Sequence, residues 1–187
     1  MRVIAGTAKG MRLGAVAPGT RPITDRAREG LFASLGHEVD GARCLDLFAG
    51  TGALGIEALS RGATSCTFVD RERRATASVQ ANLEKTRLDG RARVRTADIA
   101  AYLRKRPSTE EPFDLVFLDP PYELGDPYLG GCLAALGAGW LASEGSTVVL
   151  TRGHKSPLPA VPVHFAVRRQ LRYGDSLLII YREVSWA

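Results

Sequence analysis

Asp119-Pro120-Pro121-Tyr122 is the most specific group of chemistry-bearing residues in the sequence. Two consecutive prolines fix the backbone and remove two amide donors, so they suit a turn that belongs to no sheet ladder. Such a turn aims the Asp119 carboxylate and the Pro120 carbonyl at one point. Both are acceptors, and together they can hold the two hydrogens of an exocyclic amine. The nitrogen lone pair is then directed at an incoming methyl group for in-line transfer. Tyr122 offers a face on which a planar base stacks after leaving its helix. Asp119, Pro120, Pro121 and Tyr122 are the candidate catalytic residues.

Three other acids fall at or just past short apolar runs: Asp46, Asp70 and Asp98. Between the first two lies Gly50-Thr-Gly52-Ala-Leu-Gly55, a literal G-x-G-x-x-G, with Asp70 at the distance of a ribose-binding acid. A dinucleotide-dependent oxidoreductase is one reading of that spacing. A carboxylate at Asp46, however, repels a pyrophosphate and suits a cationic or amino-bearing ligand. Asp98 is placed to read an adenine ring, and Asp119 ends the next strand on the same edge.

S-adenosylmethionine (AdoMet) matches this set better, because it has an amino-acid end, a ribose diol and an adenine but no phosphates. Asp46 with Phe48, Ala49, Gly50 and Gly52 then borders the methionyl part, where small residues allow close approach. Asp70, followed by Arg71, accepts the ribose hydroxyls, and Asp98, followed by Ile99, bonds the adenine amine.

The elements that must position these residues alternate. Residues 44–48, 65–70, 92–96, 113–118 and 145–151 read as strands, and 53–61, 72–86, 99–104 and 126–136 as helices. Residues 163–173 and 176–182 read as a closing antiparallel hairpin around Gly174-Asp175. Strands alternating with helices predict a doubly wound, mostly parallel sheet, with its ligands at the carboxyl ends of the strands. Ahead of it, residues 2–16 read as a β-hairpin. Residues 24–35 read as a lead-in helix capped by Thr24, with Ala27, Leu31, Phe32 and Leu35 as its apolar stripe. Its polar side is Thr24, Asp25, Arg26 and Arg28. The domain expectation is a hairpin extension over 1–20 and one domain over 21–187.

Composition narrows the partners. The net charge is +5, and residues 1–28 carry Arg2, Lys9, Arg12, Arg21, Arg26 and Arg28 against the single acid Asp25. With further arginine runs along the chain, this favours a polyanionic partner. No apolar run is long enough to span a bilayer, and the first residues lack the apolar core of a secretory signal. Cys44, Cys66 and Cys132 are widely spaced and read as small buried hydrophobes, which implies a reducing, cytoplasmic setting. His37, His154 and His164 are scattered, so no metal site is expected.

Asp46-x-Phe48-x-Gly50-x-Gly52 together with Asp119-Pro-Pro-Tyr122 resembles the amino-methyltransferase class of AdoMet enzymes. With Arg21-Pro-Ile-Thr-Asp-Arg-Ala-Arg-Glu29 and the N-terminal hairpin, the chain resembles the 16S rRNA (guanine(966)-N(2))-methyltransferase family from Val3 to its last hairpin. The resemblance implies a Rossmann-like, seven-stranded class I methyltransferase fold. It also implies methyl transfer to a guanine N2 of 16S rRNA in the 30S subunit, by a monomer with no metal. Arg2, Lys9, Arg12, Arg21 and Arg26 are the implied RNA contacts, and Thr24, Asp25 and Arg26 would border the cofactor pocket. The family often has Phe where this chain has Tyr122, and either ring can stack. A DNA adenine-N6 methyltransferase shares the chemistry, but one small domain has little room for a sequence-reading module. An NAD(P)-dependent oxidoreductase leaves the Asp119 motif without a role.

Overall fold

The computed structural model describes residues 1–14, 23–105, 111–121, 123–142 and 145–184. Tyr122, Arg21 and residues 15–16 of the expected hairpin lie outside these residues.

Seven strands form one sheet in the order β3-β2-β1-β4-β5-β7-β6. They are β1 (Arg43–Leu47), β2 (Ser65–Asp70), β3 (Ala92–Thr96), β4 (Leu115–Leu118), β5 (Thr147–Gly153), β6 (Phe165–Tyr173) and β7 (Ser176–Glu183). The first five run parallel, and β7 is antiparallel to both β5 and β6. The chain order reverses direction between β1 and β4, the switch point at which open α/β sheets bind ligands.

Among the described residues five α-helices cover the sheet: α1 (Asp25–Leu35), α2 (Ala53–Ser60), α3 (Arg73–Thr86), α4 (Ile99–Arg104) and α5 (Asp126–Gly137). Strand side chains alternate between two cores. Cys44, Cys66, Phe68, Leu115, Phe117 and Val149 pack with α1, α2 and α3. Leu45, Leu47, Val69, Val116, Leu118 and Leu150 pack with α4 and α5. Burial on both faces explains why the central strands read as continuous apolar runs. By the same alternation Asp46, Asp70 and Asp119 belong to the α1–α3 side.

The lead-in helix forms as its sequence predicts. Thr24 Oγ1 accepts from Ala27 N at 3.1 Å, and Gly36 ends the helix at φ 57°. Arg28 departs from expectation: it is fully buried, not on the polar side. Its guanidinium donates to the Arg2 carbonyl and to Asp25 Oδ1 (2.9 Å), so it joins α1 to the N-terminal segment.

That segment is an irregular hairpin. Its arms meet in one isolated antiparallel bridge, Arg2 with Arg12, and not in two full strands. Besides the bonds between its arms, part of its backbone is satisfied by α2. Ile4 N and Ala5 N donate to the Glu57 carboxylate at 2.7 and 3.0 Å, and Ala8 N donates to Ser60 Oγ at 3.0 Å. Val3, Ala8 and Leu13 are buried in the α1–α3 core. The segment thus packs against the core on the α1–α3 side.

Candidate active site

After β1 the chain turns through Phe48 (φ 62°), Gly50 (φ 57°) and Gly52 (φ 78°) before entering α2. Glycine takes this left-handed region freely, whereas Phe48 is held in it at a cost of about 1 kcal/mol or more. A Cβ on Gly55 would run into the Phe68 ring and stand 2.6 Å from Cys66 Sγ. The third glycine of the spacing thus lets α2 lie close on β2, while the first two shape the turn.

Each acid meets a defined partner. Asp70 accepts from Gly50 N through one oxygen and from Glu72 N through the other, both at 2.9 Å. It pins the glycine turn to the end of β2. Asp46 accepts from Gly55 N at 2.9 Å. Burial pushes the Asp46 carboxyl well above the usual range, and the nearby Asp119 and Asp70 charges add to the push. Asp119 is half-buried, and desolvation raises it from 3.8 to about 6, against a lowering by the Thr151 hydroxyl. Three carboxyls on one side of the carboxyl edge, two of them hard to ionise, make a site that a cation complements.

Asp98, expected at the adenine, has a structural job in the fold. Its Oδ1 accepts from Ala101 N at 2.8 Å and caps α4, while Oδ2 accepts from the Tyr128 hydroxyl at 3.0 Å. The Tyr128 oxygen in turn accepts from Ala100 N at 3.1 Å, and its ring centroid lies 6.5 Å from that of Phe48. Ile99 is buried beneath this group. Tyr128 is a candidate site residue, beside Asp98 and Phe48, that sequence reasoning missed. Asp126-Pro127 signals a helix start, but nothing local says that the next residue will reach the end of β3.

The Asp119 segment continues the β4 ladder by one bond, Asp119 N to Leu47 O at 3.4 Å, and then leaves it at the prolines. Pro120 is buried, Pro121 is exposed, and Pro121 O accepts from Leu124 N at 3.0 Å to form a turn. Arg152, only 2% exposed on β5, holds the far side of that turn. Its Nη1 donates to Leu124 O at 3.1 Å and its Nη2 to Asp126 Oδ1 at 2.9 Å. Nothing in its neighbouring residues singles it out.

Arg71 is exposed and pairs with Glu72 at 3.2 Å. Arg2, Lys9, Arg12 and Arg26 are exposed, and Arg2 stands 3.7 Å from Asp25. Among the described residues no cluster of His, Cys, Asp or Glu could hold a metal ion. No helix among them is long and apolar enough to cross a membrane.

Residues 1–182 match the model of the family described as Conserved hypothetical protein 95. The chain belongs to that family. It is 39% identical over 184 residues to "Putative rRNA methyltransferase YlbH" of Bacillus subtilis (strain 168), covering 98% of this chain and 99% of that protein. It is 35% identical over 184 residues to "Ribosomal RNA small subunit methyltransferase D" of Escherichia coli (strain K12), covering 97% and 89%. Among solved structures it resembles "Putative methyltransferase yhhF from Escherichia coli", with a TM-score of 0.85 and 32% identity over 100% and 99% of the two chains. It also shares the fold of a Synechocystis PCC 6803 magnesium protoporphyrin IX methyltransferase with bound SAM, at TM-score 0.64 and 14% identity over 88% and 86%. The fold is that of the class I AdoMet methyltransferases, as expected, and the chain is a methyltransferase by family and by fold.

Proposed function

We propose that this enzyme moves a methyl group from AdoMet to the exocyclic N2 of a guanine in 16S rRNA, within the assembled or assembling 30S subunit. The observation that supports this best is the placement of Asp119-Pro120 beside Asp46 and Asp70 on one carboxyl edge. An amine-holding turn and a cation-complementing pocket then share one space. AdoMet fits the donor set, with small glycines at the turn, acids facing a cationic centre and Asp70 ready to accept a diol. When bound, it supplies a sulfonium methyl that leaves its electron pair on sulfur as the nitrogen lone pair forms the new bond.

The chain's residues do the rest by position. Asp119 and the Pro120 carbonyl hold the amine hydrogens, and Tyr122 stacks on the base. The proton lost from nitrogen departs after transfer, so Asp119 need not be a strong base. Phe48, Ala49, Gly50 and Gly52 border the methionyl part, Asp70 and Arg71 the ribose, and Asp98, Ile99 and Tyr128 the adenine. Arg2, Lys9, Arg12, Arg21 and Arg26 contact the RNA backbone. The enzyme acts as a monomer in the cytoplasm, and its N-terminal segment works as an RNA-contacting extension of the main domain.

Labelled AdoMet offered with unmodified 30S subunits, naked 16S rRNA and DNA in parallel tests this reading. Label in the 30S sample, located at a guanine N2, is the expected result. Label in DNA, or transfer undiminished by Asp119→Ala, would overturn it.

A further inference from the structure

We propose that Thr151 is a positioning residue of methyl transfer, donating its hydroxyl hydrogen to the Asp119 oxygen that does not face the amine. The inference rests on the reading of Asp119 as the acid that holds the amine. Leu118 and Leu150 are partners in the parallel β4–β5 register, so the next residues, Asp119 and Thr151, run side by side. Alternation puts both on the face of Phe117 and Val149, against α1 and α2.

Thr151 is 1% exposed, and its Oγ1 is buried with no hydrogen-bond partner in this structure. Packing alone does not call for that oxygen. Val148, Val149 and Leu150 before it are aliphatic and fully buried, and valine has the same shape as threonine. A buried hydroxyl is retained at a cost unless it has a partner, and the adjacent group able to take its hydrogen is the Asp119 carboxyl. That carboxyl responds to it, since the hydroxyl opposes the upward push of burial.

The charged groups around this face cannot substitute for it. Asp46 on β1 faces Asp119 and is an acid, as is Asp70 beyond it on β2. Arg28 of α1 is bonded to Asp25 and the Arg2 carbonyl, and Arg61 of α2 to Glu57 at 2.7 Å. A neutral donor on the neighbouring strand fixes the carboxylate's rotation and keeps it in the acceptor-only form that an amine requires. A protonated Asp119 would turn an O–H toward the amine, donor against donor.

The test is the pH profile of kcat for Thr151→Val and Thr151→Ser, using labelled AdoMet and the RNA substrate, with S-adenosylhomocysteine affinity measured by calorimetry. Valine should move the acidic limb to higher pH, with a loss of about three- to tenfold at pH 6 that largely disappears at pH 8.5. Serine should restore the wild-type profile, and both variants should keep S-adenosylhomocysteine affinity and KM for RNA. An unmoved limb in Thr151→Val, with Asp119→Ala inactive, overturns the role of Thr151 alone. A fully active Asp119→Ala overturns the amine-holding reading, and Thr151's role with it.

Discussion

Arg152 Nη2 stands 2.9 Å from Asp126 Oδ1, which ties the end of β5 to the first residue of α5. The tie matters because the proposed amine-holding turn lies between β4 and α5, and among its described residues Asp119 alone bonds to the sheet. Arg152→Met removes one partner of a mostly buried pair and should cost about 3 kcal/mol. Arg152→Lys should recover less than half, since an ammonium cannot reproduce the two-armed geometry. Denaturant unfolding reads both, and a loss below about 1 kcal/mol for Arg152→Met would remove the clamp from the argument.

Glu57 is the equivalent anchor for the N-terminal segment. Its carboxylate takes two backbone amides and Arg61 Nε while fully buried. Glu57→Ala should destabilise the protein by roughly 3 kcal/mol, because it orphans three donors at once. It should also expose Lys9 and Arg12 to trypsin. Unchanged cleavage of the segment would mean that its apolar residues hold it without Glu57.

Asp119 carries a pH prediction of two parts. Its folded pKa of about 6 lies above the usual 3.8. The amine-holding form is the anion, so methylation should fall as pH drops through 6. The sign for stability is opposite. A carboxyl raised on folding contributes most below its unfolded pKa, and that contribution is lost as pH rises from about 4 to 6. Asp119→Asn should therefore be more stable than wild type at pH 7.5, by about 1 kcal/mol after discounting for its partial exposure. Thermal unfolding at pH 4.5 and 7.5 checks it: the gain should shrink at the lower pH.

Tyr128→Phe deletes the hydroxyl that joins Asp98 to Ala100 N while keeping the ring near Phe48. Stability should change by only about 1 kcal/mol. S-adenosylhomocysteine binding should weaken severalfold, as measured by calorimetry. Wild-type affinity would place Tyr128 outside the adenine end of the pocket.

Asp70→Ala removes the bonds to Gly50 N and Glu72 N and so frees the glycine turn as well as the expected ribose contact. Cofactor affinity should fall by at least about tenfold. Asp70→Asn, which keeps one acceptor oxygen, should fall less. Equal affinities for wild type and Asp70→Ala would refute the ribose role.

The strand and helix order was legible because each central strand is bounded by turn residues and buried on both faces. Asp46, Asp70 and Asp119 were readable as one group for the same reason: each follows an apolar run, and parallel strands bring their ends to one edge. The pairs that cross between elements were not readable. Arg28 looked like a surface residue of a helix start because its partner outside the helix, the Arg2 carbonyl, is set by how the N-terminal segment docks. Tyr128 and Arg152 depend on which strand ends α5 and β5 come to face. Asp98 was expected at the adenine, and its cap on α4 was the other local use such a residue has.

The position of β7 has a consequence for how the protein is made. Ser176–Glu183 comes after every other element in chain order, yet it lies inside the sheet, between β5 and β6. A chain emerging from the ribosome carries β5 for some time with one edge bare, and bare edges recruit other strands. Strand pairing beside Thr151 and Arg152 is completed only when this last strand slides in. Nascent or truncated chains should therefore be the aggregation-prone species and should lack a finished acceptor site, so that activity appears only once synthesis has passed β7.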